Sequence, residues 1–184
     1  MRIGIIVGST RPGRRGIEVA RWVLQNADSY RGAASYELVD LVDMALPLLD
    51  EQSPAAFGQY RHEHTFRWSR VVDALDGFVI VTPEYNHSMP ASLKNAIDYL
   101  FNEWHNKAAG FVSYGVHGGL RAVESLRLVL AEVKVATVRT AVGLTLHSDF
   151  SGNELSPASH QVRSLYRMLD ELGEWSIALG RLRS

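Results

Sequence analysis

A short apolar run, residues 3–7, ends in the loop Gly8-Ser9-Thr10-Arg11-Pro12-Gly13-Arg14-Arg15-Gly16, and helical periodicity begins at Ile17. Few architectures accommodate that order. A buried strand that turns through Gly, Ser and Arg into a helix brings backbone N–H groups and the positive end of the helix dipole to one spot. Arg11, Arg14 and Arg15 add full positive charges there, and Ser9 and Thr10 add hydroxyl donors. The stretch predicts a phosphate cradle; the alternative is a plain strand-to-helix turn whose arginines are solvated.

Gly8 and Gly13 match the two glycines of G-x-x-x-x-G-K-[ST], but Arg14 and Arg15 stand where the lysine and the metal-binding hydroxyl belong. Nucleoside triphosphate hydrolysis would then lack its metal anchor. Thr10 occupies the second glycine of a G-x-G-x-x-G pattern, and the absence of cysteine excludes a thiolate nucleophile. Such a loop is expected to hold a phosphate without cleaving it.

Periodicity downstream predicts alternating helices and strands. Helical faces are expected at Ile17, Ala20, Val23, Leu24 and Ala27, at Phe66, Val71, Val72 and Leu75 within 60–75, over 91–101, and at Leu120, Val123, Leu126, Leu130 and Val133. A last helix is expected to start at Ser156-Pro157 and run to about Leu182. Strands are expected at 36–42, 77–82, 109–114 and 136–146, turns at 28–34, and an apolar, proline-interrupted loop at 44–54 that packs on something, a second subunit being one option. The five-fold alternation predicts one α/β domain over 1–184 built on a parallel sheet. In such sheets ligands bind beyond the carboxyl ends of the strands, where the loops 8–16, 83–90 and 113–119 converge.

With 184 residues, net charge -1 and pI near 6.7, the chain offers no electrostatic reason to expect nucleic acid or an anionic membrane as partner. No signal peptide or membrane-length apolar stretch is read, so a cytoplasmic protein is expected. His62-x-His64 suggests a metal pair, but residues two apart on a helix diverge and no third ligand is nearby in the sequence.

Two stretches, Gly8-Ser-Thr-Arg-Pro-Gly-Arg14 and Thr82-Pro-Glu-Tyr-Asn-His-Ser-Met-Pro-Ala-Ser-Leu-Lys-Asn-Ala-Ile-Asp98, together with the later Ser113-x-Gly115 turn, resemble the NADPH-dependent FMN reductase family. The resemblance implies a flavodoxin-like three-layer α/β sandwich, with a five-stranded parallel sheet of order 2-1-3-4-5 and helices on both faces. It implies FMN as cofactor and NADPH or NADH as reductant, with a flavin, quinone, azo compound or similar small molecule as acceptor. By the same resemblance Ser9, Thr10, Arg11, Arg14, Arg15 and Gly16 bind the FMN phosphate. Pro83, Glu84, Tyr85 and Asn86 form the loop along the isoalloxazine ring, its backbone N–H groups reaching toward N5 and O4. Ser113, Gly115 and Gly118 lie near the pyrimidine edge. Many family members carry serine where this chain has Arg14, which removes one hydroxyl donor. The flavin N5 carries the chemistry, so no catalytic side chain is expected.

A homodimer or homotetramer is implied as well, with the 44–49 loop, the aromatic 60–68 segment and Trp104 read as surface to be covered. Arg14, Arg15, Arg121 and Lys107 are candidate cations for the 2′-phosphate of NADPH. The competing reading is a non-enzymatic flavodoxin-type electron carrier, against which the near-zero net charge speaks.

Overall fold

The computed structural model describes residues 1–30, 34–152 and 154–183. Its main sheet joins β1 (Arg2–Val7), β2 (Ser35–Asp40), β3 (Gly77–Pro83), β4 (Lys107–Gly115) and β5 (Val135–Thr145), in the order β2-β1-β3-β4-β5. All four pairings are parallel. The helices are α1 (Gly16–Ser29), α2 (Leu41–Met44), α3 (Glu63–Asp73), α4 (Ala91–Asp98), α5 (Leu120–Glu132) and α6 (Ser159–Gly180). This is the flavodoxin-like order expected from the sequence.

The central strands are apolar on both sides because both faces are covered. Ile3, Ile5 and Val7 of β1 and Val79 and Val81 of β3 pack with Val19 and Val23 of α1 and Leu165, Met168 and Leu172 of α6. The alternate residues Ile6, Phe78 and Ile80 pack on the other face with Trp68 and Val72 of α3, Leu93 and Ile97 of α4, and Leu126 and Leu130 of α5. Period-two alternation thus divides each central strand between two cores. The chain leaves β1 for α1 on one face and leaves β3 for α4 on the other. A crevice opens where those adjacent strands send their connections apart, the topological switch point of the sheet.

Several boundaries differ from expectation. The second strand stops at Asp40, whose carboxylate accepts the Val42 N–H at 3.1 Å and caps the short α2, so Leu41 and Val42 are helical. In the third helix Trp68 points inward, fully buried, while Phe66 is 40% exposed. Leu120 likewise begins α5 at the surface. The last helix starts at Ser159; Ser156 and Pro157 instead follow a small antiparallel hairpin, β6 (Phe150–Ser151) and β7 (Glu154–Leu155). The 28–34 turn falls partly outside the described residues, and α1 continues through Ser29.

The apolar 44–54 loop packs on its own chain. Asn95 of α4 accepts the Leu49 N–H at 2.9 Å and donates to the Pro47 carbonyl at 2.7 Å, and the Tyr99 hydroxyl reaches the same segment. Trp68 and Trp104 are core residues whose indole N–H groups donate to the Ala96 and Ile97 carbonyls, so neither is surface awaiting a partner. His62 and His64 do not diverge: His62 precedes the first turn of α3, and the two rings stack at 5.2 Å. No group of three or more metal-ligating side chains occurs among the described residues.

Candidate active site

Three connections at the carboxyl end of the sheet surround an open cleft of about 480 Å³. From the first come Arg11, Gly13, Arg14 and Arg15; from the second Pro83, Glu84 and Tyr85; from the third Tyr114, Gly115 and Val116.

The first loop leaves donors unengaged. The Arg14 N–H turns back to the Arg11 carbonyl at 3.2 Å, and Gly13 adopts φ +68° with open space around it. The amides of Ser9, Thr10, Gly13, Arg15 and Ile17 donate to nothing among the described residues. Successive free amides at the start of a helix form a concave anion site. The Arg11 side chain is exposed, lines the cleft, and has no hydrogen-bond or ion-pair partner among the described residues. Thr10 is exposed but does not line the cleft.

The other three polar side chains of this loop are already occupied. Ser9 is 1% exposed, and its hydroxyl lies 2.9 Å from that of Tyr85, tying the first loop to the second. Arg14 pairs with Asp40 at the end of β2, both side chains mostly buried, which leaves its Nε buried without a partner among the described residues. Arg15 donates to the Gly152 carbonyl at 3.0 Å and lies over the Phe150 ring at 4.9 Å, fastened to the β6–β7 hairpin. Gly16 opens α1, and the Tyr114 hydroxyl oxygen lies 2.9 Å from where a Cβ at 16 would stand.

The second loop is internally braced. Tyr85 and Ser88 exchange backbone hydrogen bonds at 2.9 and 3.1 Å across Asn86 (φ +49°) and His87 (φ +73°). Two positive φ values between paired residues are the signature of a type I′ turn, and asparagine tolerates that region better than most residues. The Glu84 N–H donates to the Tyr114 carbonyl at 3.2 Å. Of the amides expected along a bound ring, those of Glu84 and Tyr85 are therefore engaged within the protein, and those of Asn86 and His87 remain. The Glu84 carboxylate accepts from the Arg121 guanidinium at 2.8 Å and the Arg121 N–H at 3.2 Å, capping α5.

In the third loop Ser113 is fully buried and donates to the Gly118 carbonyl at 2.6 Å, which shapes the turn from inside. The Gly118 N–H returns to the Gly115 carbonyl at 3.2 Å. Gly119 has φ +71°, and a Cβ there would lie 2.9 Å from both the N and O of Tyr114, so only glycine fits. The amides of Val116 and His117 are unengaged among the described residues.

The loops nominated from sequence are thus brought together, while Lys107 is at the opposite end of the sheet. It starts β4, is 3% exposed, and donates to the carbonyls of Val72 and Asp73. It does not reach the cleft. Sequence reading missed Tyr114, Asp40 and the Phe150–Gly152 contact with Arg15. Tyr114 sits between two nominated residues, and its place in the strand alternation could have flagged it; the Arg14 and Arg15 partners carry no local signal.

The residues present fit a ligand ending in a phosphate. Arg14 Nε is a buried donor without an acceptor, Arg11 is a free cation beside it on the same loop, and the unengaged amides complete a donor set suited to an anion.

Residues 1–148 match the family model described as NADPH-dependent FMN reductase. An NAD(P)H-dependent FMN reductase of Saccharomyces cerevisiae is 43% identical over 148 residues, covering 75% of this chain and 78% of the relative. A second, from Schizosaccharomyces pombe, is 36% identical over 178 residues, covering 95% and 88%. Among solved structures, a flavoenzyme NAD(P)H:(acceptor) oxidoreductase of Paracoccus denitrificans superposes with a TM-score of 0.75 at 21% identity, over 96% of this chain and 97% of its own. That likeness shows the fold, and with the sequence matches the conclusion is that this chain belongs to the NADPH-dependent FMN reductase family.

Proposed function

We propose that the cleft holds FMN with its phosphate against the first loop and its ring between the second and third. The protein then works as an NAD(P)H-dependent oxidoreductase on a small, flat acceptor such as a flavin, a quinone or an azo compound. The observation that carries this reading is the contrast inside one cleft: unengaged donors and a free Arg11 at one end, braced loop backbone at the other.

FMN held there would supply the redox chemistry, hydride transfer between nicotinamide and acceptor. The protein's part is binding and orientation. Arg11 and the first-loop amides hold the phosphate. The Ser9–Tyr85 contact fixes the spacing between phosphate loop and ring loop. The amides of Asn86, His87, Val116 and His117 are the donors left for the polar edges of the ring, where negative charge builds on reduction. The exposed side of the cleft is open enough for nicotinamide and acceptor to occupy it in turn.

The test is direct. Protein loaded with FMN and mixed with NADPH or NADH without oxygen should bleach within seconds and recover its absorbance on adding a quinone. A yellow protein inert to both nucleotides would overturn the reading in favour of a carrier. We further propose self-association through the surface where Leu48 (81% exposed) and Phe57 (68% exposed) stand out of the 44–58 region. Light scattering that gave a monomer mass at micromolar concentration would refute it.

A further inference from the structure

Tyr114 belongs to β4, yet its side chain reaches the start of α1, where its hydroxyl comes against Gly16. The approach is close: that oxygen lies 2.9 Å from where a Gly16 Cβ would stand, so any other residue at 16 would push it away. The phenol is 6% exposed and lines the cleft beside Arg14 and Arg15. Its proton has no acceptor among the described residues, and the hydroxyl is open to the cleft.

A phenol packed this tightly, with its hydroxyl turned to a donor-rich cleft and no acceptor in the protein around it, is placed to donate to an anion that fills that cleft. We infer that the Tyr114 hydroxyl donates to the terminal phosphate of the bound ligand, adding one neutral donor beside the start of α1. The assignment rests on the flavin mononucleotide reading above. Burial, with Tyr85 adding to it, holds the phenol's pKa above its ordinary range despite Arg14 and Arg15 nearby. The proton is therefore retained at neutral pH, and the group is a donor only toward a dianion.

Tyr114→Phe removes the oxygen and leaves the ring that packs in the core. Affinities of apo wild type and variant for FMN and for riboflavin, which lacks the phosphate, separate the possibilities. The expected result is a roughly tenfold weaker FMN complex with riboflavin affinity unchanged. Gly16→Ala, which keeps the phenol but displaces its oxygen, should show the same selective loss. Equal weakening of both ligands would make Tyr114 a structural support of the loop and overturn the inference, as would an unchanged FMN affinity. If wild type itself bound no FMN, the flavin reading would fall first, and the wild-type titration alone would reveal it.

Discussion

The two ends of the sheet are built from similar parts and treat polar groups differently. At the amino end, left-handed Asn106 and Lys134 are joined by a backbone bond of 3.0 Å, and Lys107 is sealed against the last carbonyls of α3. Arg183 donates to Asp76 at 2.7 Å, and Asp76 also accepts the Arg2 N–H. The exception there is the buried Nε2 of His105, which lacks a partner among the described residues. At the carboxyl end, left-handed Asn86, His87, Gly118 and Gly119 shape loops that leave amides and Arg11 facing a cleft. Closed turns at one end hold the sheet together. Open donors at the other are tolerable because solvent or a ligand satisfies them.

The same division recurs inside the cleft. The second and third loops are cross-braced through Glu84–Arg121, Glu84–Tyr114 and Ser113–Gly118, whereas the first keeps its donors free. Changes to the braced loops should therefore lower stability, and changes to the free donors should lower affinity alone.

The largest effect should come from Gly119→Ala. The left-handed conformation costs a side chain about 1–2 kcal/mol, and overlap with the Tyr114 backbone adds about 1–3 kcal/mol. Urea denaturation should show a loss of about 2–5 kcal/mol in total; an unchanged midpoint would mean the third loop is not braced.

Lys107 tests the amino end. Burial depresses its pKa to about 8 from 10.5. Between those values the unfolded chain binds the proton that the folded chain has released. Stability should therefore rise with pH across that window, by up to about 3 kcal/mol. Lys107→Met should flatten the rise between pH 8 and 9, below the range where tyrosines ionise. An identical pH profile in the variant would show that the amine is hydrated after all.

Arg11→Ala should weaken FMN about ten- to a hundredfold, the value of a hydrogen bond to a charged group at about 1.5–3 kcal/mol, with the apo protein's denaturation unchanged. Arg11→Lys should restore part of it, since an ammonium keeps the charge but not the planar fork. A fall in apo stability would place Arg11 among the braces.

The smallest effect belongs to Glu84→Gln. Its partner Arg121 is 45% exposed, so screening limits the pair to about 1 kcal/mol. Scanning calorimetry should record a drop of a few degrees; a loss as large as that of Gly119→Ala would reverse the ranking.

The fold was readable because its signals are periodic: apolar strands alternating with amphipathic helices, punctuated by glycine-rich loops that meet at one end. The nominated loops were found for the same reason. What sequence could not show is where long side chains go once folded. Arg14, Arg15 and Lys107 look alike as cations, but Asp40, the Phe150 hairpin and the α3 carbonyls claim them through contacts far apart in sequence. The engaged amides of Glu84 and Tyr85 were equally hidden, because a turn's hydrogen bonds depend on the φ values of Asn86 and His87. Ser156-Pro157 was a sound helix start locally, and the β6–β7 hairpin displaced it by three residues.

The claim on which the rest depends is that the first loop's free donors enclose a phosphate. Phosphorus NMR of FMN bound to the wild-type protein tests it most directly. Free phosphate monoesters take up their second proton near pH 6. Several amides and a guanidinium bonded to the dianion would hold it deprotonated well below that. The bound ³¹P resonance should stay fixed from pH 8 down to pH 5 while that of free FMN moves. A bound resonance that titrates in step with free FMN would place the phosphate in solvent and contradict the account.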